Sequence, residues 1–244
     1  MPRSAFAAIA WVLAGAFFIG AVLFLLDRLN VVATPPTLPD TANLVDRIVG
    51  SYAYRSAIWP VFLGTNVLFA IGFAAIVPFA GMLGAASHAA GVGRWSAVGL
   101  LVVGGVLGAL ASLMIAGAVA VTIEVPYCDC GFKETEVVSQ SWALNLFTGA
   151  HDWLVRGAWL SSGLGLLAAV PLLPSKASAN LRFMTQLTGL AAVLAVAIQL
   201  LGVLDALNDV LTGLSAGILV PIWAVWTART VSATATPDGA GGNG

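Results

Sequence analysis

Six long apolar runs divide this chain, at residues 5–26, 58–86, 96–123, 153–173, 183–204 and 211–226, and Arg156 is the single charge inside any of them. Crossing roughly 30 Å of hydrocarbon takes about 20 mostly apolar residues in a helix. Strands of a membrane barrel would alternate apolar and polar residues, whereas these runs are apolar on every side. The expected fold is therefore all-α, a bundle of six transmembrane helices. The bundle is expected to form one domain over residues 1–230, with short amphipathic helices in the outer loops and a disordered tail at 231–244.

Composition removes the other broad classes. Apolar residues make up 59% of the chain and charged residues 9%, with a mean hydropathy of +0.97, against about 25% charged in a typical soluble domain. Ten Lys plus Arg balance eleven Asp plus Glu without a basic cluster, which argues against a nucleic-acid binder and a polybasic surface protein. Run 5–26 exceeds the roughly 7–15 apolar residues of a secretory signal and ends without a small-x-small cleavage site, so it reads as an uncleaved first span.

Orientation follows from Lys and Arg in the short connections. With the N-terminus cytoplasmic, the inner face receives Arg3, Arg94, Lys176, Arg182 and Arg229 in short segments. The outer face receives Arg28, Arg47, Arg55, Lys133 and Arg156, diluted in longer, acid-rich loops. Basic density thus places both termini in the cytoplasm. A composition rich in Ala, Gly and Val points to a bacterial cytoplasmic (inner) membrane.

Helices in lipid associate where small residues let backbones approach. Gly104, Gly108 and Ser112 form such a ridge in the third span, serving either packing within the chain or a homodimer. The expected surroundings are the lipid bilayer, with a membrane-protein partner as a further expectation.

Two outer loops are long enough to carry function. In the first, Leu44, Val45, Ile48, Val49 and Tyr52 fall at helical spacing behind the rigid segment Thr34-Pro35-Pro36-Thr37-Leu38-Pro39. This is the pattern of an amphipathic helix lying on the membrane surface, with Tyr52, Tyr54 and Trp59 as interfacial anchors. The second loop holds both cysteines, Cys128 and Cys130, separated by one residue. They are open to three readings: a strained disulfide, free thiols or half of a metal site. An oxidising outer face favours a disulfide that closes a turn or bridges to a partner chain.

Polar residues inside the runs are the remaining pointers, because burying them in hydrocarbon costs energy unless they are used. Asn66 and Gln199 either hydrogen-bond across helices or line a small-molecule cavity. His151, Asp152 and Arg156 gather at the entrance of the fourth span, where Asp152 and Arg156 are four apart and can pair. Arg55, leading into the second span, can join them to bind an anionic group, against the favoured structural reading of a helix N-terminal cap with an ion pair and Trp153 as anchor. No Ser-His-Asp order, His-Glu-x-x-His, phosphate loop or haem-attachment pattern occurs, so no catalytic residue, metal site or cofactor is expected.

The segment Ser51-Tyr52-Ala53-Tyr54-Arg55, Gly157, Gly163-Leu164-Gly165-Leu166-Leu167, the Leu173-Pro174 exit and Pro221-Ile222-Trp223 resemble the bacterial multi-spanning family known as domain of unknown function 4386. The resemblance covers most of residues 5–228 and implies a multi-spanning membrane fold without an activity. The loop with Cys128 and Cys130 departs from that pattern. Three functions are then in play. The leading one is a non-enzymatic binding, scaffolding or accessory subunit of a membrane complex. The second is a carrier or channel for a small neutral or lipophilic molecule, and the third is a thiol redox protein using the cysteine pair.

Overall fold

A computed structural model describes residues 3–34, 37, 44–87, 91–123, 134–202 and 205–234, and everything structural below concerns these residues. They are almost wholly helical: α1 Arg3–Arg28, α2 Leu44–Ala86, α3 Val92–Ile123, α4 Glu134–Ala169, α5 Ala179–Leu201, α6 Asp205–Leu214 and α7 Val220–Thr234. A 3-10 turn, Val170–Leu172, ends α4, and a π-helical turn, Ser215–Leu219, joins α6 to α7 as one span. Six stretches are long and apolar enough to cross a membrane. The molecule is a multi-pass integral membrane protein built as an all-α six-helix bundle.

The helix ends have local causes. Asn30 takes a left-handed conformation (φ 54°) just past α1, while the Val31 amide donates to the Leu26 carbonyl at 3.0 Å and the Asn30 amide to that of Asp27. That pair of bonds is a Schellman-type stop, which closes on Asn or Gly. Helix α5 opens on Ser178, whose hydroxyl accepts from the Leu181 amide at 3.2 Å, and closes on Gly202 at φ 62°. Between α4 and α5 the Arg182 guanidinium donates to the Val170 and Pro174 carbonyls, at 3.4 and 3.2 Å. It satisfies acceptors that the end of α4 leaves without a helical partner.

Two helices extend past the expected spans. Residues 44–57 continue α2 without a break, so the amphipathic segment extends the second span and is not a separate helix lying on the surface. No helix-stopping residue separates Tyr52 from Ile58, and Pro60 and Pro78 are carried inside α2, as membrane helices tolerate where neighbours re-satisfy the backbone. Likewise α4 begins at Glu134, well before Trp153. Of the tail expected to be disordered at 231–244, residues 231–234 belong to α7, and residues 235–244, like Cys128 and Cys130, lie outside the described residues.

Helices adjacent in sequence pack together and α1 also packs against α7, closing a ring. Close backbone approach holds it. A Cβ on Gly104 would meet Ser162 Oγ, the Ser162 amide at 2.8 Å and the Ala158 carbonyl at 2.9 Å, and one on Gly108 would run into the Phe73 ring. Gly163 and Gly189 sit reciprocally, each Cβ position 2.8 Å from the other's carbonyl oxygen. The Gly104 and Gly108 ridge is therefore buried between α3 and its neighbours α2 and α4. Of the two roles the sequence leaves open for this ridge, packing within the chain is the one that occupies it, because internal and intermolecular packing use the same small-residue spacing.

Large apolar side chains cover the outside, among them Trp11, Phe18, Leu110 and Leu113, as a hydrocarbon surrounding requires. In the half of the bundle that holds the N-terminus of α1 and the C-terminus of α7 the interior is packed, and the groove of about 650 Å³ there lies on the outside, between Trp11 and Phe18 of α1 and Ile222 and Arg229 of α7. Inside, Phe6 packs tilted against Phe79 at 4.8 Å and Phe79 against Trp223 at 5.1 Å, beside fully buried Leu13 and Leu83. The Trp223 indole donates to Thr185 Oγ1 at 3.1 Å, and Thr185 donates to the Leu181 carbonyl at 2.8 Å, so these two buried side chains satisfy each other and the helix.

Candidate functional site

The other half is hollow. A cavity of about 500 Å³ opens at the end of the bundle where α1 and α5 finish and α6 begins, and all six spans line it. Its floor is aromatic. Phe73 and Trp159 meet edge to face at 5.6 Å, Phe17 backs Phe73 at 5.0 Å, and Phe62 and Phe69 rise from the floor along α2. Below Phe17 the packed core begins, so the cavity is a vestibule closed at one end.

Polar groups stand on the wall above that floor. Asn66 is 7% exposed and spends its amide N–H on the Phe62 carbonyl at 2.9 Å, and Thr65 donates to the Val61 carbonyl at 2.8 Å. These bonds within one helix let polar side chains stand at membrane depth, and they leave the Asn66 amide oxygen and the Thr65 lone pairs as acceptors. Ser112, 3% exposed, faces the cavity from α3. Ser162, Ser215 and Thr227 keep unpartnered buried hydroxyls, but none of them lines the cavity.

The mouth carries the charges. Asp27 at the end of α1 accepts from the Tyr54 hydroxyl of α2, and its Oδ1 is buried without a hydrogen-bond partner. Burial first, and the Asp27 carboxylate second, hold the Tyr54 hydroxyl above its ordinary pKa, so it stays a donor at neutral pH. Arg28 approaches Asp209 of α6 at 3.7 Å and covers the Phe24 ring at 5.3 Å, tying the first span to the last. Across the mouth His151 Nδ1 lies 3.2 Å from Asp152 Oδ1.

Four of the residues singled out from the sequence, Asn66, Gln199, His151 and Asp152, thus line one cavity. Gln199 is not at the centre of its span: α5 stops at Leu201, so the side chain stands at the mouth. The expected Asp152–Arg156 pair is not formed. His151 takes Asp152, while the Arg156 guanidinium covers the Trp153 ring at 4.9 Å and does not line the cavity. The Arg55 side chain lies outside what the structure describes, although its backbone belongs to α2.

Sequence reasoning missed Asp27, Arg28, Tyr54 and Asp209 as site residues. The available signal was an adjacent acid and base closing one span and an acid opening another, and only the closure of the ring brings them to one mouth. Among the described residues no group of three or more His, Cys, Asp or Glu side chains is placed to hold a metal ion. Comparison with family models, with curated protein sequences and with solved structures found no match to this chain, so the functional argument rests on the site itself.

Proposed function

We propose that this membrane protein binds a small amphipathic molecule in the vestibule, with its apolar body on the aromatic floor and its polar end among Ser112, Asn66 and the mouth. The observation that carries this reading is Asp27 Oδ1, buried without a hydrogen-bond partner at the mouth of a 500 Å³ cavity whose deeper wall holds Ser112 and Asn66. A buried polar atom left unpaired costs about 1–3 kcal/mol, which a guest offering a hydrogen bond removes. The volume falls within the roughly 300–1,000 Å³ of small-molecule sites, and such sites are mostly apolar with a few placed polar groups. The proposal keeps the membrane-embedded binding protein and the small lipophilic ligand of the sequence reading. It places the mouth on the outer face of a bacterial inner membrane.

The test uses 4-phenylbutan-1-ol, whose ring and hydroxyl match floor and wall, titrated onto the full chain in phosphatidylcholine nanodiscs with empty nanodiscs as blank. Saturable binding that weakens in Asn66→Leu and in Gln199→Leu is expected. Binding no greater than to the blank contradicts the proposal.

Passage of the ligand is a second reading, and the π-helical turn Ser215–Leu219 favours it. It lies in the last span directly after the cavity-lining Asp209 and Thr212, and Gly217 there packs against Ala21. Such turns concentrate at functional sites within helices. Accumulation of radiolabelled 4-phenylbutan-1-ol in proteoliposomes no faster than in empty liposomes would remove this second reading and leave the binding site intact.

A further inference from the structure

We infer that the vestibule selects a cationic head group, an ammonium carried on an apolar body. The inference rests on the binding reading above and names its ligand class. Three carboxylates face the mouth from three different helices: Asp27 of α1, Asp152 of α4 and Asp209 of α6. Among the described side chains, one guanidinium, Arg28, and one imidazole, His151, stand against them. Arg28 is committed to Asp209 and to the face of Phe24, and Arg156 is turned away over Trp153. His151 stands beside Asp152. That leaves Asp27 without a cation of its own except the neighbouring, already engaged Arg28.

Asp27 is also where the structure leaves a gap. Tyr54 supplies its one hydrogen bond, and the other carboxylate oxygen is buried with no partner. An ammonium group supplies both the donor and the charge that this oxygen lacks. Below it, Phe24, Phe62, Phe69 and Trp159 present aromatic surface, and ring faces attract cations. The hydroxyl of Ser112 and the amide oxygen of Asn66 accept hydrogen bonds from N–H groups. An anionic head would meet three carboxylates and a wall of acceptors, so the pattern discriminates by repulsion as well as attraction.

The experiment compares three molecules on one skeleton, 4-phenylbutylammonium, 4-phenylbutan-1-ol and 4-phenylbutanoate, bound to the full chain in phosphatidylcholine nanodiscs at neutral pH. The expected order is ammonium, alcohol, carboxylate, with the ammonium about tenfold tighter than the alcohol. Asp27→Asn, which keeps an acceptor for Tyr54, is expected to bring the ammonium-to-alcohol ratio close to one, and Asp152→Asn lowers it in the same direction. Alcohol binding with no advantage for the ammonium overturns the head-group inference while the site stands. An undiminished ratio in both variants overturns the assignment to these carboxylates. Failure of all three molecules to bind overturns the site and this inference together.

Discussion

Replacing Ser112 by alanine separates a binding site from a structural core, because the two roles predict opposite signs. The Ser112 side chain is 3% exposed and stands on the cavity wall. Burying an unpaired hydroxyl costs about 1–3 kcal/mol, and a cavity water that bonds to it reduces that cost toward zero. The substitution removes one oxygen from the wall of an existing cavity, so it opens no new void in packed core. Ser112→Ala is therefore expected to leave the unliganded protein equally stable or up to about 1 kcal/mol more stable, a rise of roughly 0–4 °C in Tm for a chain of this length. Affinity for 4-phenylbutan-1-ol is expected to fall by about 0.5–1.5 kcal/mol, roughly two- to twelvefold, because the variant loses the hydrogen bond to the guest. Thermal unfolding in one detergent at a fixed scan rate, together with nanodisc titration, reads both quantities. Lower stability with unchanged affinity would refute the reasoning, since it would make Ser112 a packing residue.

Other substitutions test the packing and the mouth. Thr185→Val leaves the buried Trp223 indole N–H without its acceptor and is expected to cost about 1–3 kcal/mol, read as a lower Tm with a changed Trp emission spectrum. Gly163→Ala places a methyl 2.8 Å from the Gly189 carbonyl, and the forced separation of α4 and α5 is expected to destabilise by about 1–3 kcal/mol in the same unfolding assay. Asp209→Asn breaks only the half-exposed contact to Arg28. It is expected to change stability by less than about 1 kcal/mol, and that small effect should fade as salt rises in thermal scans.

The architecture was legible because hydrocarbon imposes one requirement on every span: apolar side chains around a backbone that bonds to itself. The helix ends were less so. Helices α2 and α4 continue beyond the apolar runs, and composition does not distinguish a span's extension from a separate helix beside it. Gly202 was a readable stop for α5, but Val203 and Leu204 carry the apolar pattern past it. Within the site, Asn66 and Gln199 stood out as amides in apolar surroundings. Asp27, Tyr54 and Asp209 did not, because polar residues are ordinary at span ends and their meeting depends on α1 closing against the last span. Helical spacing alone suggested the Asp152–Arg156 pair. It gave way to the adjacent His151 and to the Trp153 ring, competitors that a four-residue spacing does not register.

The central claim is that a cavity reaches Ser112 deep in the bundle from one side only. Labelling of Ser112→Cys, with Cys128 and Cys130 replaced by serine, tests it in sealed membrane vesicles of known orientation with a membrane-impermeant methanethiosulfonate reagent. The account predicts modification from the face bearing the mouth, slowed by saturating 4-phenylbutan-1-ol, and none from the opposite face. A cysteine that stays unreactive from both faces, or reacts equally from both, would contradict it.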